Sequence, residues 1–306
     1  MQPIRKGSSK VVFGTNVAGQ CVIDDSGETS VLNYGPIPGF QSGRIRQARL
    51  SQMRSMFTLL HRHGIPTHVI SLDDKAGIRV REVQVRDLPL LSSPADDTPR
   101  QVGLEALIRT RISKKFLGRI ERGEVDRSQI ILAEGEELDL NARLAVPFVE
   151  FSAKWIEGDP YLSDEQAMVI GELGPTELHE LKYFGAKVGQ IVSEFLLRSD
   201  YLLVDFKIEV AVDPKTASFI MIDALTLDEM GLIWHGEEYG KNPLRSHYEN
   251  HHPGFVAAFK AALEAGLPKE EWPEMPPLPG EVMQGHQNRY IWAAQDFERH
   301  LVVMDD

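Results

Sequence analysis

The sequence predicts an α/β fold of the α+β kind, with a mostly antiparallel β lobe over residues 1–95 and a larger mixed α/β lobe over residues 96–306. Three observations predict it. Short strand-like runs separated by Gly and Pro turns fill the first ninety or so residues around a single helical pattern. A long apolar stripe at helical spacing runs from Leu178 to Phe195. Directly after it, Tyr201–Trp234 reads as two apolar strands around a polar turn, and the rest of the chain is organised around that hairpin.

Near the N-terminus, Lys6-Gly7-Ser8-Ser9-Lys10-Val11-Val12-Phe13 is a small-residue turn leading into a strand. Backbone amides in such a turn, beside a lysine, can cradle phosphates. Gln20–Ile23 and Thr29–Leu32 continue as strands until Pro36-Ile37-Pro38-Gly39 breaks the chain. Gly43–His63 is the first helix: Leu50, Met53, Phe57 and Leu60 follow its spacing, and Gly64 fits a C-terminal cap. Arg44, Arg46, Arg49 and Arg54 on it read mostly as solvated surface. His68–Ser71 and Ile78–Val85 are strands, and Leu90–Arg100 is a Ser/Pro/Asp linker or insertion.

Leu104–Ile112 alternates, with Glu105, Arg109 and Arg111 on one parity, and Lys114, Lys115, Arg119 and Arg122 follow. This basic segment is either a holder of an anionic substrate or a solvated helix. Ser163-Asp164-Glu165 and Gly174-Pro175-Thr176 start helices, the second carrying the apolar stripe. After the hairpin comes a polar stretch, in which His247, His251 and His252 lack an HExxH pattern and read as solvated. Phe255–Ala265 and Tyr290–Val302 close the chain as helices on either side of the Pro-rich run Pro268–Pro279.

The chemistry concentrates in the hairpin. Asp205, Lys207 and Glu209 are spaced by two, so they share one strand face, and Asp223 interrupts the second strand. Charges in otherwise buried strands are costly unless they are paired or bind a metal. Three carboxylates and a lysine suit magnesium, which takes phosphate oxygens as its other ligands. The competing reading pairs Lys207 with a carboxylate on a solvated hairpin face. Register decides between them: Asp223 must face the same way as Glu209, and a one-residue slip turns it away.

Composition narrows the partners. A net charge of −12 argues against non-specific binding to nucleic acid or an anionic membrane, and leaves room for a local basic pocket. Cys21 is the only cysteine, so neither an intrachain disulfide nor a thiolate zinc cluster is expected. The first ten residues lack the apolar core of a signal peptide, and no apolar run is long enough to span a bilayer. A soluble cytoplasmic protein is expected. There is no nucleophile elbow, Walker pattern or dinucleotide glycine fingerprint.

The hairpin LLVDFKIEVAVD…IMIDALTLDE resembles the signature region of the phosphoribosylaminoimidazole-succinocarboxamide synthase (SAICAR synthetase) family. KGSSKVVF resembles that family's N-terminal phosphate loop, TSVLNYGPIPGFQSG its IPGKG segment, and LEALIRTRISKKFLGRI its basic strand and helix. VPFVEFSAKWIEGDPYLSDEQA and GEVMQGHQNRYIWA extend the likeness over nearly the whole chain. The resemblance implies a two-lobed fold with the nucleotide cleft between the lobes, and an ATP- and Mg2+-dependent ligase. In such an enzyme a carboxylate is activated as an acyl phosphate and captured by an amine such as aspartate. It implies Lys10, Lys207 and Asp205 as catalytic residues, with Lys10, Ser8, Ser9, Arg81, Glu209 and Asp223 toward the nucleotide. Glu209, Asp223 and Asp205 are implied as metal ligands, and Arg109, Lys114, Lys115, Asn33, Ser30 and Asp228 as substrate contacts.

The departures fall mostly on the substrate side. The family's aspartate is Asn33, its IPGKG lysine is Phe40, its Gly-Ser pair is Lys114-Lys115, its Asp-Glu pair is Asp223-Ala224, and a later arginine is Gly231. An altered substrate in a specialised pathway is therefore expected, with an ordinary SAICAR synthetase as the close variant. A small-molecule kinase and a non-catalytic nucleotide-binding homologue are the rival classes. A homo-oligomer is compatible with all of these.

Overall fold

The computed structural model describes residues 3–7, 9–72, 77–85, 97–154, 156 and 158–304. Five strands come first: β1 (Pro3–Lys6), β2 (Lys10–Gly14), β3 (Gln20–Asp25), β4 (Glu28–Val31) and β5 (Gly35–Gln41). Helix α1 (Gly43–Arg62) leads to β6 (Val69–Ser71) and β7 (Ile78–Arg81). Then come β8 (Arg100–Arg111), α2 (Lys114–Glu121), β9 (Arg143–Ala153), β10 (Tyr161–Leu162), α3 (Asp164–Gly171) and α4 (Pro175–Leu197). The chain continues through β11 (Tyr201–Asp213), β12 (Ser218–Ile222), β13 (Met230–Trp234) and β14 (Glu237–Tyr239). It ends with α5 (Asn242–His251), α6 (Pro253–Glu264) and α7 (Gly280–Val303). Residues 90–96 of the expected linker lie outside the described residues.

The mixed α+β class expected from the sequence is what the chain adopts. One antiparallel sheet has the order β1-β2-β3-β7-β6, and β4 pairs with β5 apart from it. The larger sheet runs β10-β9-β8-β11-β13-β14. Strand β11 is its centre: β8 lies along one edge, while the other edge is shared by β13 near its start and β12 near its end. The two sheets are tied where Thr67 bridges Met221 in parallel and the Met221 carbonyl accepts the His68 amide at 3.0 Å.

Local chemistry sets the helices. Ser42 caps α1 by accepting from the Ile45 amide, and Gly64 beyond its end adopts φ +68°, which glycine takes without Cβ strain. Ser163 and Gln166 form a reciprocal capping box on α3. Helix α4 starts with Pro175 in its first turn and lays Leu178, Leu181, Val188, Val192 and Phe195 into the core. It lies close on the large sheet because Gly189 has no side chain: a Cβ there would come within 2.6 Å of Ile108 Cγ2 and 3.0 Å of Pro147 Cβ. Gly189→Ala therefore destabilises the protein by about 1–2 kcal/mol, because overpacking outweighs the gain of about 1 kcal/mol in helix propensity. Chemical denaturation measures this, and an unchanged or raised midpoint contradicts it.

Some expectations need correction. The polar stretch that holds His247 and His251 is helical: α5 runs to His251, with Pro243 in its first turn and Leu244 and Tyr248 buried. The hairpin has a third strand, β13, and the last helix begins ten residues earlier than expected, at Gly280. Arg49 is not solvated: it is 0 % exposed, because α7 packs along α1 and carboxylates surround the guanidinium.

Candidate active site

A cavity of about 550 Å3 opens between the two sheets. Five lysines, Lys6, Lys10, Lys154, Lys207 and Lys241, line it together with carboxylates. Alternation on β11 puts Asp205, Lys207 and Glu209 on one half-buried face between buried neighbours. Glu209 lies opposite Ile222 of β12 and Glu105 of β8. By register alone Asp223, one residue past Ile222, would turn away from Glu209. It does not, because the chain leaves the strand there at φ +65°. That turn brings the Asp223 carboxylate to 3.0 Å from Lys10 Nζ.

The charges alternate along the cavity wall. Lys10 donates to Asp223 at 3.0 Å and to Glu229 at 2.8 Å. Lys154 donates to Glu209 at 2.5 Å and to Glu105 at 3.1 Å, and Lys207 reaches Glu105 at 2.8 Å. Gln101 donates to the second Glu209 oxygen at 2.6 Å. Burial and the neighbouring Asp223 charge push the Glu209 carboxyl up to about 7. Burial also pushes Asp223 up, but Lys10 and Lys154 outweigh it, and its carboxyl lies below the usual range. Burial alone would lower the Lys10 ammonium, and Asp223 and Glu229 reverse that, leaving it well above its ordinary value. Lys10 is thus held as a cation, and Glu209 and Glu105 do the same for Lys154 against its burial.

Two crowded carboxylates between lysines are a donor set that a divalent ion and phosphate oxygens satisfy. Among the described residues there is no group of three or more His, Cys, Asp or Glu side chains disposed to hold a metal. The protein therefore offers two carboxylates, which fits magnesium's habit of completing its shell with water and phosphate.

Asp205 lies apart from Glu209 and Asp223. It lies four residues from Glu209 along β11, where its Oδ2 accepts from Arg109 at 3.0 Å. Parity gave it the right face but the wrong neighbours. Arg109 is 2 % exposed and already occupied: Glu150 lies 2.5 Å from it, Tyr161 accepts at 3.2 Å, and its guanidinium sits over the Phe116 ring. Asp228 is equally committed, to Arg49, Tyr290 and Lys241. Arg81 lines the cavity and pairs with Asp213 at 2.6 Å. Ser9 is buried beside it, and Ser8 lies outside the described residues. Ser30 is buried in β4, Asn33 is exposed in the turn after it at φ +61°, and Lys114 and Lys115 are exposed on α2; none of these four lines the cavity. Sequence reasoning did not assign Lys154, Glu105, Gln101, Glu229 and Lys241 to the site. The parity of Glu105 with Arg109 was one available signal.

Two antiparallel sheets with a lysine–carboxylate cleft between them define a protein built to handle a polyanion together with a cation. The family model described as SAICAR synthetase matches residues 3–254, and the chain belongs to the SAICAR synthetase family, whose members are ATP-dependent carbon–nitrogen ligases. A relative from Archaeoglobus fulgidus, described provisionally as a phosphoribosylaminoimidazole-succinocarboxamide synthase, is 29% identical over 288 residues, covering 87% of this chain and 84% of its own length. The crystal structure of such a synthase from Ehrlichia chaffeensis superposes with a TM-score of 0.63 at 19% identity, covering 87% of this chain and 99% of that one. A type-2 SAICAR synthetase solved in complex with ADP superposes with a TM-score of 0.58 at 19% identity, covering 89% of this chain and 99% of that one. No helix among the described residues is long and apolar enough to cross a membrane.

Proposed function

We propose that the chain is an ATP- and Mg2+-dependent ligase that activates a small-molecule carboxylate as an acyl phosphate and couples it to an amine such as aspartate. We read residues 1–95 and 96–306 as its two lobes. The observation that carries the reading is the run of alternating cations and carboxylates through the cavity, from Glu229 and Lys10 by way of Asp223 to Glu209, Lys154, Glu105 and Lys207. Phosphoryl transfer needs positioning and charge neutralisation more than covalent help from the protein. Glu209 and Asp223 would hold the magnesium ion, and Lys10 and Lys154 are the ammonium groups nearest to them. Val12, Ile23, Val80 and Ile222 give the cavity an apolar wall suited to a planar base. Bound ATP supplies the phosphoryl group that turns a carboxylate oxygen into a leaving group. Lys207, fixed by Glu105, neutralises charge at the acid.

The acid divides two readings. Gly231, Asn33 and Phe40 support an altered acid in a specialised pathway; Phe40 is 6 % exposed and packs on His286, so this position offers no cation to a substrate. The coverage of the curated relative supports an ordinary SAICAR synthetase equally well. One screen tests both. Purified protein with ATP and Mg2+ is offered phosphoribosylaminoimidazole carboxylate or other small carboxylates, with and without aspartate, and ADP and products are followed by mass spectrometry. ADP release that requires acid and amine together, with amide formed, is the expected result. Stable phosphorylated product without amine indicates a kinase. No turnover, and no thermal shift with ATP and Mg2+, indicates a binding protein.

A further inference from the structure

Asp205 has one oxygen fixed and one open. Arg109 holds Oδ2 at 3.0 Å, while Oδ1 faces Gly231, where a Cβ would come within 2.8 Å of it. The side chain is 32% exposed. It shares the β11 face with Lys207, two residues away, which places the two roughly 7 Å apart along the strand. The cavity lining includes Lys207 but not Asp205, so Asp205 stands just outside the closed part of the cleft.

Resting on the ligase reading, we propose that Asp205 docks the acceptor amine as its ammonium in the space beside Gly231 and takes a proton from it before attack. An amine that is protonated near neutral pH has no lone pair to offer, so a base is needed at the open end of the cleft. Attack forms the C–N bond and breaks the acyl C–O bond, whose electron pair leaves with phosphate. The ammonium gives up two protons in all: the first goes to Asp205 and on to water, and the second departs with the phosphate as hydrogen phosphate.

The groups facing Asp205 are Arg109 from β8, Glu150 from β9, Lys115 from α2 and Arg245 from α5. Burial raises the Asp205 carboxyl against the pull of Arg109 and Arg245, which strengthens it as a proton acceptor. Among the described residues, neither Lys115 nor Arg245 has a carboxylate at salt-bridge distance; Lys115 lies over the Tyr161 ring and Arg245 donates to Asn242. An ammonium on Asp205 between two such cations fits an acceptor that carries its own carboxylate.

The bland alternative is that Asp205 only steadies Arg109, which Glu150 and Tyr161 also hold. Hydroxylamine separates the two, because it is already unprotonated near neutral pH and needs no base. Wild type, Asp205→Asn and Gly231→Ala are compared with ATP, Mg2+, saturating phosphoribosylaminoimidazole carboxylate, and either aspartate or hydroxylamine. Asp205→Asn is expected to lose about 100-fold or more in kcat with aspartate, to recover as pH rises, and to keep wild-type hydroxamate formation. Acid-dependent oxygen-isotope scrambling in ATP without amine also stays at the wild-type level. Gly231→Ala raises KM for aspartate and leaves hydroxylamine untouched, and it decides the matter if Asp205→Asn fails to fold. Equal losses with both acceptors, or no loss with aspartate, overturn the inference. Absence of scrambling in the wild type with phosphoribosylaminoimidazole carboxylate and with every other carboxylate of the screen strikes the ligase reading instead.

Discussion

Glu209→Gln is expected to lower kcat about 100–1,000-fold while leaving the metal-free protein at least as stable as wild type. The two effects have opposite sources. Glu209 is squeezed between burial and Asp223, which push its carboxyl up to about 7, so its charge is a burden on the folded chain. Glutamine keeps the shape and can still accept a hydrogen bond from Lys154 or Gln101, which lie at 2.5 and 2.6 Å from the glutamate oxygens. It removes the like-charge repulsion and, with it, one of the two carboxylates available to magnesium. Stability held or gained with activity lost is the pattern of a site strained for function. An ADP-release assay with acid and amine, alongside thermal unfolding with and without ATP and Mg2+, measures both. Full activity in this variant would refute the assignment of the metal-binding pair; lost activity with a collapsed melting point would make Glu209 a structural residue.

How much of this site could be read from the chain follows from the distances in sequence. The shared face of Asp205, Lys207 and Glu209 is a local property of alternation, and β11 displays it. Whether Asp223 joined them was not local. It depends on a positive φ at one residue, which an aspartate tolerates but does not announce. The Lys154–Glu105 contact depends on β9 lying beside β8 with Glu105 opposite Ser152, a pairing that no short window contains. The pairing of Asp205 with Arg109 was hidden for the same reason: parity names a face, and only the neighbouring strand names the partner. Helix α5 was missed because its polar, histidine-rich run buries only Leu244 and Tyr248, too few for a visible stripe. Arg49 shows the converse error, a charge on a helix read as solvated when another helix covers it.

Arg49→Met is expected to destabilise the protein by about 3–5 kcal/mol near pH 8, and by less near pH 5. Arg49 donates to Asp228 at 3.1 Å, to Asp25 at 3.2 Å, to the Glu28 carbonyl at 2.6 Å and to Thr29 at 3.1 Å, all away from water. Methionine fills similar space and leaves two buried carboxylates facing each other. They are not equally exposed to the loss. Asp228 keeps Tyr290 at 2.6 Å and Lys241 at 3.1 Å, whereas Asp25, among the described residues, keeps only the Gly27 amide at 2.7 Å. Burial already pushes the Asp25 carboxyl up to about 6 even with Arg49 pulling it down, so removal of Arg49 raises it further. A carboxyl raised above its unfolded value of about 3.9 stabilises the fold when protonated, and that contribution is lost as pH rises through the folded value. In the wild type the loss is complete a little above pH 6, and in the variant it continues to higher pH, so the gap between the proteins widens from near pH 5 to near pH 8. Asp228 has the opposite sign: burial raises it, Arg49 and Lys241 more than reverse that, and its contribution is present above the ordinary carboxylate range and lost in acid. Urea denaturation at the two pH values separates the carboxylates. A gap that is the same at both assigns the cost to Asp228 alone, and a loss below about 1 kcal/mol at either means that the buried guanidinium is replaceable by packing.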